Sequence, residues 1–237
     1  MRNVGTPPGR LTLEERTQLR HALRTPRGRY GAERAAQLSG VPTRTVYHWA
    51  QTGTLVPDYD ESPKSWSYRD LVYLRLTAWL RTTHLPLPTV VDVVCTARRR
   101  FAEPDDPGST VVSTDGVGVA LSEGFAVDAL TGQQVFDTMI DNVTTFDLLA
   151  PLEAPELGRG HLWGPNLVRP SRHTSMSPWV LRGEPVLRGS RLSTGALYAL
   201  RTRRRLEVAD IVELYPGVDK VAIDDAIELE TRLRMAA

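Results

Sequence analysis

Tyr30-Gly31-Ala32-Glu33-Arg34-Ala35-Ala36-Gln37-Leu38-Ser39-Gly40-Val41-Pro42-Thr43-Arg44-Thr45-Val46-Tyr47-His48-Trp49 is the stretch that decides the fold. Its spacing predicts a helix-turn-helix. Ala36 is small and lets a second helix cross close to the first. Gly40 takes a positive φ without steric cost and makes the sharp turn. Pro42 fixes the chain at the start of the next helix. Val46, six residues beyond Gly40, is expected to face the angle between the helices with Leu38, Val41 and Trp49. Thr43, Arg44, Thr45, Tyr47, His48 and Gln51 are left on the outward face. Such side chains suit the phosphates and base edges of a major groove. The same spacing of Ala, Gly and Val also occurs in small helical hairpins that read nothing.

The next residues sharpen the reading. Gln51 to Pro57 ends the second helix, and Asp58 to Ser65 is a polar turn. Ser67 is expected to cap a new helix, with Asp70 at its third position as a capping-box variant. The stretch resembles the winged helix-turn-helix of MerR-type regulators. The pieces that carry the resemblance are Val46-Tyr47-His48-Trp49, Gly53-Thr54-Leu55 and Tyr68-Arg69-Asp70-Leu71, and it covers about residues 30 to 101. It adds Lys64 of the wing and Arg69 to the candidate DNA contacts. The wing departs from a phosphate-gripping one: it is acidic at Asp58, Asp60 and Glu61, and Lys64 is its only base.

The 237 residues suffice for two or three small domains. Hydrophobic content of 41% and charged content of 24% are ordinary for a soluble globular protein. No apolar run approaches the roughly 20 residues of a membrane span, and Met1 to Arg10 lacks the apolar core of a signal peptide. A single cysteine, Cys95, permits no internal disulfide, so a cytoplasmic setting is expected. Cys95 reads as a small core residue of a helix. The net charge of +1 hides a pattern. Residues 1–100 hold 16 Lys/Arg against 8 Asp/Glu, residues 101–170 hold 2 against 11, and residues 171–237 hold 11 against 9. The basic front suits phosphates and the acidic middle does not.

These shifts predict four parts: an arm with a short helix over 1–29, the winged helix-turn-helix over 30–102, an acidic strand-containing middle over 103–165, and a three-helix unit over 166–237. The fold class is mainly α with a small β portion. Thr12-Leu13-Glu14-Glu15 opens a helix to about Arg24. Arg24, Arg27 and Arg29 then form either a solvated linker or a phosphate-contacting arm. Helices are expected from Tyr68 and over Thr89–Phe101, the latter ending in Arg98-Arg99-Arg100, where basic residues suit the helix dipole. Period-two patterns at Val111–Ser113, Gly116–Leu121 and Phe125–Leu130 predict small antiparallel strands. Pro151, Pro155 and Gly158-Arg159-Gly160 read as a second linker, and Leu162–Val168 as a possible strand. Ser193 is expected to cap a helix through Arg201. Short helices follow over Glu207–Tyr215 and Asp219–Arg234.

The run Gly183-Glu184-Pro185-Val186-Leu187-Arg188-Gly189-Ser190-Arg191, the three helices and the Tyr215-Pro216 stop resemble a small domain common in bacterial antitoxins. The resemblance covers about residues 171 to 234. Ser190 stands where that family usually has Thr, and Arg203-Arg204-Arg205 replaces a Gly-containing turn. With the MerR-like front, the whole resembles VapB-type antitoxins that carry a MerR-like reader. The resemblance implies a homeodomain-like three-helix core and a homodimer on double-stranded operator DNA. It also implies a PIN-like ribonuclease toxin as protein partner. Arg201, Arg203, Arg204 and Arg205 are candidate toxin contacts, since arginine pairs bidentately with carboxylates. Residues 103–237 are expected to neutralise the toxin, and 1–102 to bind DNA weakly. The alternatives are a regulator whose C-terminal half senses a small molecule, and an adaptor whose C-terminal unit reads DNA.

Enzymatic motifs are missing. There is no Walker loop, GxGxxG or H-E-x-x-H, and the five histidines have no partners at ligand spacing. No enzyme activity, cofactor or metal is expected. Asp224-Asp225 and Glu228-Leu229-Glu230 read as a solvated helix face. Trp163 and Trp179 read as core or interface residues.

Overall fold

The computed structural model describes residues 21–83, 85–102, 111–114, 119–123, 125–128, 134–135, 144–147, 149, 151–155 and 161–236. The arm before residue 21, the start of the helix expected from Thr12, and the linkers at 103–109 and 158–160 lie outside these residues. The described chain is mainly helical with a small antiparallel β portion.

Residues 21–24 are helical and lead into an extended linker to Tyr30. Helices α1 (Ala32–Ser39) and α2 (Thr43–Thr52) follow, joined by Gly40 at φ +77. Helix α3 (Tyr68–Thr82) starts where expected. The Ser67 hydroxyl accepts the Asp70 N–H, and the Asp70 carboxylate accepts the Ser67 N–H. Twelve of its fifteen residues are buried, so α3 is the central strut rather than a half-exposed amphipathic helix. Helix α4 (Leu87–Ala102) lies against α3 through Val90, Val93, Val94 and Ala97, an inward stripe at helical spacing. Cys95 falls off that stripe and is exposed, which corrects the core assignment made from sequence.

The acidic middle contains a five-stranded antiparallel sheet in the order β4-β3-β2-β1-β5. Its strands are β1 (Val111–Thr114), β2 (Val119–Glu123), β3 (Phe125–Asp128), β4 (Gln134–Val135) and β5 (Thr144–Asp147). The register aligns Phe146, Val112, Leu121 and Val127 in one row of Cα partners. Next, β6 (Leu152–Pro155) pairs antiparallel with β7 (His161–Gly164). Pro151 and Pro155 therefore flank and end a strand, where the sequence suggested only a linker. Proline at a strand end removes no interior ladder bond.

A second small ribbon, β8 (Thr174–Ser175) with β9 (Val186–Leu187), leads into α5 (Thr194–Thr202), α6 (Val208–Leu214) and α7 (Lys220–Ala236). Ser193 caps α5 by accepting the Ala196 N–H. Leu187, Leu197, Ile211, Ile223 and Ala226 form the core of this unit. The main core ignores the part boundaries read from sequence. Leu149, Leu152, Leu167, Val168 and Met176, together with Leu229 and Leu233 of α7, share one cluster with α1 to α4. A cut at 102 or at 165 would divide that cluster, because α3 is buried on nearly every side and needs more cover than α1, α2 and α4 provide.

Candidate nucleic-acid interface

The α1–α2 pair packs as its spacing predicts. Leu38, Val41, Val46 and Trp49 are buried in the angle between α1 and α2. On α2, Arg44, Tyr47, His48 and Gln51 are exposed, while Thr43 and Thr45 are half-buried. Tyr47 keeps 49% of its surface open and rests its ring edge-on against Trp66, 6.1 Å between centroids. One edge of Tyr47 is thus fixed and the rest is available. Gly53, at φ +73, stops the helix.

The wing is arranged differently from a phosphate grip. Tyr59 and Ser65 close it through a backbone bridge. Lys64 pairs with Asp60, and Arg29 sits 3.7 Å from Glu61 and over the Tyr59 ring. Lys64 of the wing and Arg29 of the linker thus each have an acid beside them. Lys64 is half-buried, which leaves it poorly placed for the DNA contact expected of it.

Arg69 is withdrawn from the DNA candidates. Its Nε and Nη2 donate to the two oxygens of Asp58 at 2.7 Å each, and Nη1 donates to the Arg24 carbonyl at 2.9 Å. It ties the wing and the incoming linker to α3. Asp58 also receives Arg98 of α4 and the Ser67 hydroxyl. Burial alone would raise the Asp58 carboxyl, but Arg69, Ser67 and Arg98 outweigh it and hold it below its ordinary value. Asp70 lies beside this cluster, and burial, reinforced by the Asp58 charge, pushes its carboxyl up to about 6. The acidic wing and the basic end of α4 therefore answer each other inside the fold. Eleven residues separate Asp58 from Arg69 through a loop, so no local spacing rule joins them.

Long-range contacts hold α1 and its turn from behind. A Cβ on Gly40 would lie 2.6 Å from the Trp163 carbonyl carbon, and one on Gly164 would lie 2.8 Å from the Ser39 carbonyl oxygen. The α1–α2 turn and the end of β7 thus meet backbone to backbone. Arg75, fully buried on α3, donates to the carbonyls of Leu38 and Pro165. It closes the C-terminal end of α1, where a positive charge is favoured, and burial pulls its guanidinium down to about 9. Tyr30 donates its hydroxyl to the Gly183 carbonyl at 2.9 Å. Arg34 of α1 reaches Glu184 at 2.7 Å and Glu230 of α7 at 2.6 Å. Glu230 is fully buried and also accepts the Thr194 hydroxyl, while Asp225 accepts Ser171 Oγ and the His173 N–H. Neither belongs to a solvated face, contrary to the sequence reading; Asp224 and Glu228 do.

The remaining candidates fall as follows. Arg201 donates to Glu207 at 2.7 Å and to the Leu206 carbonyl, so it braces the α5–α6 loop. Arg203, Arg204 and Arg205 are exposed on that loop. Trp163 is half-buried beneath the Arg232 guanidinium, and Trp179 is exposed and stacked on His21. Among the described residues no cluster of His, Cys, Asp or Glu could hold a metal ion, and no helix is long and apolar enough to cross a membrane. Comparison with protein-family models, curated proteins and solved structures finds no match for this chain.

Proposed function

We propose that this chain is a DNA-binding antitoxin: a winged helix-turn-helix reads operator DNA as a homodimer, and the C-terminal three-helix unit binds a PIN-like ribonuclease. The observation that carries the DNA role is the division of α2. Val46, Trp49 and Ala50 are buried, and Arg44, Tyr47, His48 and Gln51 stand outward together on one short helix. That is what insertion into a major groove requires. The antitoxin half rests on the sequence resemblance around Gly183 to Arg191 and on the exposed Arg203 to Arg205.

Gel shifts against the DNA upstream of the gene test the first part. Arg44→Ala and Tyr47→Ala are each expected to weaken specific binding by roughly 1–3 kcal/mol, with a preserved melting temperature. Unchanged specific affinity in both variants removes α2 from the interface. The balanced wing also predicts a shallow salt dependence, since few phosphates are neutralised. For the second part, the chain is co-expressed with the neighbouring nuclease and growth is scored. No rescue and no complex on co-purification overturn the antitoxin role.

A further inference from the structure

Two carboxylates and two guanidiniums meet beneath the wing, away from water. The side chains of Asp58 on the wing and Asp70 on α3 are 3% and 0% exposed. Arg69 of α3 and Arg98 of α4 face them, with Tyr59 of the wing and Tyr73 of α3 alongside. The donors are shared unevenly. Asp58 receives Arg69 on both oxygens, and Arg98 and the Ser67 hydroxyl as well. Asp70 receives the backbone N–H groups of Ser67 and Asp58, both on Oδ2 at 2.8 Å. Among the described residues no hydrogen bond reaches its buried Oδ1, and Arg98 Nη2 stands 3.5 Å away.

These bonds differ in what they join. The Ser67 N–H bond lies within the cap of α3 and does not need the wing. The Asp58 N–H bond crosses from the wing to α3. Arg98 crosses as well, from α4 to the Asp58 carboxylate and the Val56 carbonyl. Lifting the wing takes Asp58 off Asp70 and admits water to a carboxylate that has one oxygen without a donor. The wing is thus fastened to the group that has most to gain from its removal.

We propose that Asp70 is a proton-operated latch on the wing: protonated it stays beneath the docked wing, and ionised it favours a lifted wing that lets water reach both its oxygens. The direction follows from solvation. Burial, reinforced by the Asp58 charge, raises the docked Asp70 to about 6. With the wing lifted, water returns it to the ordinary range of about 4. Lifting therefore releases a proton, and the lifted population grows as pH rises through that window. The neighbours do not run the latch. Asp58 is held below its ordinary value and acts in the opposite sense only at more acidic pH. Arginine does not lose its proton here, and Tyr59 and Tyr73 are raised and stay neutral. The inference concerns the wing itself and holds whichever macromolecule the wing meets.

The test is amide hydrogen exchange of the full chain, corrected at each pH for the intrinsic chemical rate. The Asp58 amide, bonded to Asp70, reports on the wing, and the amide of Leu229, buried on α7, reports on unfolding. Protection at Asp58 is expected to fall about twentyfold between about pH 4.5 and 7. Lifting exposes little surface, so about 0.5 M urea should leave Asp58 unmoved while it lowers protection at Leu229. Asp70→Asn is expected to flatten the Asp58 profile to within about twofold. Arg98→Met removes the cation beside Oδ1 and is expected to move the midpoint of the profile to higher pH. The proposal is overturned if Asp58 protection is constant with pH. It is equally overturned if Asp58 follows Leu229 in urea, since only unfolding then uncovers Asp70, or if folded Asp70→Asn keeps the parent profile. Should Asp70→Asn fail to fold, an unmoved midpoint in Arg98→Met overturns it.

Discussion

Gly40 and Gly53 share a left-handed backbone, φ +77 and φ +73, yet only Gly40 is enclosed. At Gly53 alanine meets open space, and the loss is the backbone term alone, about 1–2 kcal/mol. At Gly40 the same methyl adds a 2.6 Å approach to the Trp163 backbone, which cannot swing aside as a side chain can. Thermal melts should show Gly40→Ala losing more than about 3 kcal/mol and Gly53→Ala less than about 2. Equal losses would mean that β7 does not bear on the turn. Asp70 gives a second test. Its folded carboxyl is raised to about 6, so the fold prefers it protonated, and its contribution grows as pH falls from about 6 toward the ordinary range and is lost as pH rises through 6. The contribution is on the order of 1–3 kcal/mol over that window. Asp58, held low, acts in the opposite sense and only at more acidic pH. Asp70→Asn keeps an oxygen for the Ser67 and Asp58 N–H groups, so its melting temperature should vary less between pH 4.5 and 7 (an interval chosen to span about 4–6) than that of the parent. An identical profile would place the titration elsewhere. Gly40 was legible because a turn is local; its contact with Gly164 was not, because that partner lies far along the chain.

Helix boundaries followed local chemistry. The Ser67–Asp70 box, the Ser193 cap and the glycine stops at 40 and 53 each act within one turn, so sequence alone located α1 to α3 and α5. The roles of charged residues were misread wherever the partner was distant. Arg69 reads as a DNA contact and Arg98 as a match for the helix dipole, yet both converge on Asp58. Glu230 looks like part of an acidic face, yet it is the buried partner of Arg34. The wing separates the two kinds of charge experimentally. Arg69→Met breaks a largely buried bidentate pair and leaves Asp58 with fewer donors, so a loss of about 2–4 kcal/mol is expected. Lys64→Ala removes an exposed pair with Asp60 and should change stability by less than about 1 kcal/mol. Denaturant midpoints measured side by side decide this. A small loss for Arg69→Met would return that residue to the list of possible DNA contacts.

At the scale of the molecule, sequence predicted separable halves and the structure joins them. The charge blocks are real, but charge reports on solvent-facing partners, whereas independence is decided by apolar cover and buried bonds. Among the described residues, four side chains bind the N-terminal helices to residues beyond 160: Tyr30 reaches Gly183, Arg34 reaches Glu184 and Glu230, Arg75 reaches Pro165, and Tyr68 reaches the Leu167 carbonyl. Leu167, Val168, Met176, Leu229 and Leu233 complete the cluster around α3. A fragment of residues 1–102 therefore exposes one face of α3 to water. It also strands a buried arginine without its second carbonyl and leaves two tyrosine hydroxyls to find new partners. Each stranded polar group costs about 1–3 kcal/mol, and each lost large apolar contact about 1.5–3 kcal/mol, against a total stability of roughly 5–15 kcal/mol for a domain. The fragment is expected to lack a cooperative thermal transition and to show no specific DNA binding, in place of the weak binding expected from sequence. Within the full chain, Glu230→Ala should lower stability by about 3–5 kcal/mol, since it leaves the buried Arg34 with one carboxylate and Thr194 with only the longer bond to the Pro185 carbonyl. Circular dichroism melts of both proteins, with gel shifts at temperatures below each transition, give the answer. A fragment of 1–102 that melts cooperatively near the parent temperature would show that α1 to α4 are self-sufficient and that the contacts to Gly183, Glu184, Glu230 and Pro165 only tether two finished domains.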